Sequence, residues 1–142
     1  MKRIRYVSQF AKDMSLEDID GLIAGAAKKN ARLDITGIIM SSGRIFFQVI
    51  EGPDAHIDDV YEYIVKDHRH RDVLLLDSET GVSERFFPDW SMKRIGLDDD
   101  SNERLAPVRA MLSTVIEKRK EVARLTNALE RAVWLELAAA LD

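Results

Sequence analysis

An α+β fold is predicted: a ferredoxin-like βαββαββ sheet with two helices on one face, followed by a C-terminal helical extension of one long helix or two. Three observations predict it. Runs of period-two alternation, rich in β-branched and aromatic residues, recur through residues 2–95. Two amphipathic stripes at helical spacing lie between those runs. A third helical pattern then occupies residues 103–141, with no glycine and one proline, Pro107, placed early enough for a first turn.

Residues 2–9 put Ile4, Tyr6 and Ser8 on one face of a strand and Arg5, Val7 and Gln9 on the other. Ser15, with Glu17 and Asp18 after it, has the chemistry of a helix N-cap and an acidic first turn. Leu16, Ile19, Leu22, Ile23, Ala26 and Ala27 form one stripe, which carries that helix to about Lys29. Its second half is small (Gly21, Ala24, Gly25, Ala26, Ala27), a surface on which something flat can lie close. Residues 34–40 and 44–50 are apolar runs joined at Ser41-Ser42-Gly43, a hairpin. Glu51-Gly52-Pro53-Asp54 ends the strand and opens a second helix, with Pro in its first turn and a stripe of Ile57, Val60, Tyr61, Ile64 and Val65. His68-Arg69-His70-Arg71 punctuates, and residues 73–76 begin a fourth strand. Phe86-Phe87-Pro88-Asp89 is a turn; Trp90, Met92 and Arg94 then alternate with Ser91, Lys93 and Ile95 as a fifth. Residues 98–102 are a polar break suited to an N-cap. The cluster at 117–121 interrupts the following stripe and leaves one helix or two open.

The chain has 142 residues, the length of one ordinary domain, and 46% hydrophobic with 32% charged residues places it among folded globular proteins. Its net charge of −4 argues against a general nucleic-acid binder, which needs a basic surface. No run approaches the ~20 apolar residues that span a bilayer. The opening residues lack a signal peptide's apolar stretch, so a cytoplasmic protein is expected. With no cysteine, disulfide scaffolds, thiolate metal sites and thiol nucleophiles are excluded.

His56, His68 and His70 are the first candidates for metal or acid–base chemistry, but no third ligand stands at a recognised spacing, and a solvated loop end is the better reading. Neither a phosphate-binding loop nor a nucleophile elbow occurs. Asp58-Asp59 and the acidic run from Asp98 read as helix surface and helix entry. Gln48 is harder to dismiss. It sits among Phe46, Phe47, Val49 and Ile50 in a core strand, where a buried amide needs partners. An amide is also donor and acceptor at once. Tyr6, Ser8 and Asn30 each have a plain structural reading, Asn30 as a C-cap residue. Together with Gln48 and the small helix residues they surround one possible slot.

Tyr6-x-Ser8, Asn30 before Ile35-Thr36-Gly37-Ile38, Phe46-Phe47-Gln48-Val49-Ile50-Glu51-Gly52, Arg69-His70 and Phe87-Pro88-Asp89-Trp90-Ser91-Met92 together resemble the BLUF family of blue-light sensors using FAD. The resemblance covers residues 1–97, in order and at the family's spacing. It implies a flavin-binding sensor over 1–97 and a helical cap or output segment over 98–142. It also implies an isoalloxazine ring between the two helices. Tyr6 then corresponds to the electron donor, and Gln48 to the amide bridging that phenol and the flavin. Ser8, Trp90 and Met92 join these two in the photochemical set, Trp90 and Met92 as fifth-strand residues whose packing changes with light. Asn30 corresponds to the partner of the ring's polar edge. Lys29 and Arg32 count as further flavin contacts, although Lys29 departs from the histidine or asparagine common in relatives. Arg69 and His70 match the pair near the ribityl and phosphate end. No metal and no enzymatic reaction are implied. Short proteins of this family signal by self-association and by binding a separate partner, so a homo-oligomer and an unidentified downstream signalling protein are expected. The competing readings are a small acylphosphatase-like hydrolase and a cofactor-free ferredoxin-like interaction module.

Overall fold

The computed structural model describes residues 1–98 and 103–141. Its elements run β1 (Lys2–Phe10), α1 (Leu16–Arg32), β2 (Thr36–Ser42), β3 (Ile45–Gly52), α2 (Asp54–Lys66), β4 (His70–Glu79), β5 (Lys93–Gly96), a 3₁₀ turn (Glu103–Leu105) and α3 (Ala106–Leu141). The chain forms two compact units, Met1–Glu103 and Arg104–Asp142.

In the first unit the five strands lie in the order β4-β1-β3-β2-β5. All neighbours are antiparallel except β2 and β5. The β1–β3 register sets Tyr6 opposite Gln48 and Arg3 opposite Glu51, three residues further along on the other face. Ile4, Tyr6, Phe46 and Ile50 meet Ile19 and Ile23 of α1 and Ile57, Val60 and Ile64 of α2 in one core, so both helices cover the same face. Gly37 allows β2 and β3 their close approach: a Cβ there would lie 2.0 Å from the Val49 carbonyl oxygen.

The α1 N-terminus is a capping box: the Ser15 hydroxyl accepts from Asp18 N–H at 3.1 Å, and the Asp18 carboxylate accepts from Ser15 N–H at 3.4 Å. Several expected boundaries move. α1 continues past Lys29 to Arg32, so Asn30 belongs to its last turn and is not a cap residue. Pro53 precedes the first turn of α2, at the N-cap position. Leu16 and Val65 leave the predicted stripes and are exposed, whereas Ile19, Leu22, Ile23 and Ala27 on α1 and Ile57, Val60, Tyr61 and Ile64 on α2 pack on the core. β4 extends through polar residues at both ends: His70 and Arg71 pair with Phe10 and Gln9 of β1, and at the other end Arg5 meets Asp77 and Arg3 meets Glu79 across the ladder. β5 starts at Lys93, so Trp90 and Met92 precede the strand. The carbonyl groups of Trp90 and Ser91 are engaged by Gly37 N–H and by the Asn30 side chain, both at 2.9 Å, and ladder pairing with β2 begins only after them.

The second unit contains one long helix of 36 residues. The cluster at 117–121 does not break it, since Glu, Lys and Arg are good helix formers and Lys118 pairs with Glu121 at 3.3 Å. Val122, Leu125, Leu129, Val133 and Leu137 are exposed along it. The N-cap expected within the polar break falls on residues 99–102, outside the described residues. Among the described residues no helix is long and apolar enough to cross a membrane.

Candidate functional site

A cavity of about 300 Å³ lies between α1, α2 and the sheet, at the lower end of the usual range for small-molecule sites. Tyr6 of β1 and Gln48 of β3 form its floor, with Met92 beside them. Their register opposite one another brings phenol and amide together: Tyr6 OH donates to Gln48 Oε1. The other end of the amide, Nε2, donates to Met92 Sδ at 3.5 Å. Tyr6 is fully buried and its ring meets those of Phe46 and Tyr61 edge-on. That burial raises its pKa well above the ordinary phenol value, with a smaller push from Tyr61, so the phenol keeps its proton.

The α1 wall is small. Gly21 and Gly25 line the cavity, and a Cβ on either would meet nothing within 4 Å. Asn30, buried in the last turn of α1, also lines it and donates through Nδ2 to Ser91 O at 2.9 Å. Lys29 stands on the same wall with Nζ 3.9 Å from the centre of the Tyr63 ring on α2.

The α2–β4 end supplies Asp67, Arg69 and His70. Asp67 holds the Arg69 guanidinium through Nη2 at 2.6 Å and Nε at 2.9 Å, and accepts from Arg69 N–H at 3.0 Å. Those bonds bring its carboxyl down to about 2. His70 is shifted down, chiefly by burial, so its ring is neutral near neutral pH; its Nδ1 is buried without a hydrogen-bond partner. A planar, largely apolar cofactor with polar edges fits such a cavity: glycines leave room along one wall, and an orphaned ring nitrogen, an amide and a guanidinium face it.

Of the residues singled out from sequence, Tyr6, Lys29, Asn30, Gln48, Arg69, His70 and Met92 line this one cavity. The other three lie off its wall. Ser8 is buried and donates to Arg71 O at 3.0 Å, Arg32 is exposed at the end of α1, and Trp90 is 44% exposed. Sequence reading passed over Tyr63 and Asp67; an acid two residues before Arg69, just past the end of a helix, was the available signal for the second. It also passed over the buried Arg3–Glu51 pair on the opposite face of the sheet. Among the described residues no three His, Cys, Asp or Glu side chains gather as a metal set.

The family model for sensors of blue-light using FAD matches residues 1–93. The photoactivated adenylate cyclase subunit beta of Euglena longa is 32% identical over 90 residues, which cover 63% of this chain and 10% of that protein. A solved bacterial light-regulated adenylyl cyclase superposes with a TM-score of 0.80 at 32% identity, over 87% of this chain and 36% of its own. A Klebsiella pneumoniae protein solved with FMN and cyclic diGMP gives 0.61 at 35% identity, over 68% of this chain and 26% of its own. The chain thus spans only a tenth of that curated relative and about a third or less of these solved proteins.

Proposed function

The chain belongs to the BLUF family, the sensors of blue light using FAD, and on that premise we propose that its response to light resides in the Gln48 amide held between Tyr6 and Met92. The flavin of this family supplies absorption of blue light and an excited state that takes up an electron. Tyr6 is the donor, a phenol buried in the cavity wall that carries its proton in the dark. Gln48 receives the hydrogen bond of that proton at Oε1 and spends Nε2 on Met92 Sδ. Reversal of the amide would turn an N–H toward Tyr6 and an oxygen toward Met92. A thioether can accept weakly but cannot donate. The reversed amide therefore loses Met92 and makes the Tyr6 oxygen an acceptor. Two arrangements of one buried network are thereby available, which is what a reversible signal requires.

The observation that carries this reading is the unbroken chain from Tyr6 OH through Gln48 to Met92 along the cavity wall. It favours a flavin sensor over the cofactor-free module and over the acylphosphatase-like hydrolase. The test is a light-minus-dark spectrum. Wild type, yellow as purified, should show a reversible red shift that Gln48→Leu lacks; a full red shift in Gln48→Leu would overturn the assignment.

Within the flavins we assign FAD, after the family's own cofactor, with Arg69 and His70 toward its phosphate end and Asn30 toward its ring. Chromatography of the cofactor released by heat decides between FAD and FMN. For output we assign α3, whose exposed Val122, Leu125, Leu129 and Val133 recur at helical spacing with charged residues between them. Such a stripe suits pairing with the same helix of a second copy. A cytoplasmic downstream protein would read that assembly. Leu125→Lys with Leu129→Lys should reduce the mass in solution by light scattering and leave the spectrum unchanged; an unchanged mass counts against the dimer.

A further inference from the structure

On the sheet face opposite the cavity, a charged cluster grips the β4–β5 connection. Glu51 is fully buried on β3 and Arg3, facing it from β1, is 4% exposed. Arg3 Nε donates to Glu51 Oε1 at 3.2 Å, and Phe86 N–H donates to both oxygens of the same carboxylate at 2.9 Å. Arg3 also donates to Glu84 O at 2.8 Å, and its guanidinium lies 3.7 Å from the centre of the Phe86 ring. Arg85 donates to Thr36 Oγ1 at 2.9 Å and to Asp34 O at 2.8 Å. Residues 84–86 are therefore tied to the ends of β1, β2 and β3. The same connection is tied again at its other end, where Trp90 O and Ser91 O accept from Gly37 and Asn30 and Met92 Sδ accepts from Gln48. Only residues 87–89 separate the two sets of ties, and Pro88 has a fixed φ.

We propose that Glu51 is a positioning residue for the light response: by anchoring residues 84–86 it sets where Met92 meets the Gln48 amide. The proposal rests on the reading of Gln48 and Met92 given above. Two considerations support it. A buried ion pair loses much of its attraction to desolvation, so its stabilising energy alone is small, whereas the bonds of Arg3 and Glu51 to Glu84 O and Phe86 N–H fix where the connection runs. Glu51 and Gln48 also sit three residues apart on β3 and face opposite sides of the sheet, so one strand carries both the anchor and the amide whose partner it holds.

The test uses the full flavin-loaded chain with ¹³C-methyl-labelled methionine. Glu51→Ala should move the Met92 methyl resonance in the dark and change the rate of dark recovery roughly 2- to 10-fold, the range set by one hydrogen bond's free energy. Arg85→Met, which removes ties to the same stretch from a less buried position, should act in the same direction and covers the case in which Glu51→Ala does not fold. Glu51→Gln keeps an acceptor for Phe86 N–H and should give the smaller change. In a Met92→Ala background the effect on recovery should disappear, since the anchor would have nothing left to position. An unmoved Met92 resonance with unchanged recovery in either folded variant overturns the proposal, as does an effect of full size without Met92. A wild type with no photocycle would overturn the reading of Gln48 instead, and the dark resonance would still decide the anchor.

Discussion

Replacing Tyr6 with Phe removes one oxygen from the centre of the site and keeps the ring. The edge-on packing against Phe46 and Tyr61 is retained, since it needs only the aromatic body. The lost hydroxyl was the partner of Gln48 Oε1, and Gln48 is only 7% exposed. Water cannot readily replace that partner, so the variant bears the cost of an unsatisfied buried acceptor, about 1–3 kcal/mol. In a sensing unit near 100 residues each kcal/mol lowers Tm by roughly 4–8 °C. Flavin should be retained, because the rest of the cavity wall is untouched. The light response should vanish, because phenylalanine has neither an electron readily given up nor a proton to release. Urea unfolding monitored by circular dichroism measures the first effect and a light-minus-dark spectrum the second. A reversible red shift of wild-type size in Tyr6→Phe would refute the donor assignment. An unchanged urea midpoint would refute the dependence of Gln48 on the phenol.

Asn30→Ala should weaken flavin retention 5- to 150-fold, the equivalent of ~1–3 kcal/mol, measured as occupancy after dialysis; equal occupancy removes Asn30 from the binding set. Asp67, whose carboxyl titrates at about 2 against an unfolded value of 3.8, stabilises the fold above the unfolded value and ceases to do so as pH falls through about 2. Asp67→Asn should thus cost about 1 kcal/mol at neutral pH, discounted because Arg69 is partly exposed, and the two proteins should converge in urea melts between about pH 4 and 2. Gly37→Ala places a methyl group 2.0 Å from the Val49 carbonyl oxygen, so β2 and β3 must separate beside Gln48. A loss of ~3 kcal/mol or more is expected by urea titration, and a near-neutral result would mean the strands can shift at little cost.

Tyr6 and Gln48 are legible in the sequence because period two assigns each to a face, and a glutamine within an apolar strand demands a partner. Their meeting depends on a β1–β3 register between residues 42 positions apart, which local pattern does not contain. The sequence alternates from Trp90 to Ile95 as a strand should, yet the ladder begins at Lys93, because Gly37 and Asn30 engage the carbonyl groups ahead of it. Those partners come from distant segments, and periodicity is blind to them. β4 shows the converse: its C-terminal end reads as polar loop, but cross-strand ion pairs of Asp77 and Glu79 with β1 hold it in the sheet. α1 outruns its apolar stripe because Lys29, Asn30 and Arg32 carry no apolar signal, although Asn30 points inward to Ser91.

The sheet order has a consequence for how the protein is made. β1 is synthesised first but lies between β3 and β4, so its β3 edge can be paired once residue 52 has emerged and its β4 edge only once residue 79 has. The β2–β3 hairpin and the helices on either side of it are local in sequence and can form earlier. Until α2 follows, Ile4, Tyr6 and Phe10, all destined for the core, lack the Ile57, Val60 and Ile64 side chains that cover them. The cavity closes later still, since its lining begins at Tyr6 and ends at Met92. At a bacterial or eukaryotic translation rate that wait is roughly 5–20 s. Flavin capture is therefore a late event in the life of the nascent chain, and a shortage of cofactor would be felt by a unit whose strands have already paired.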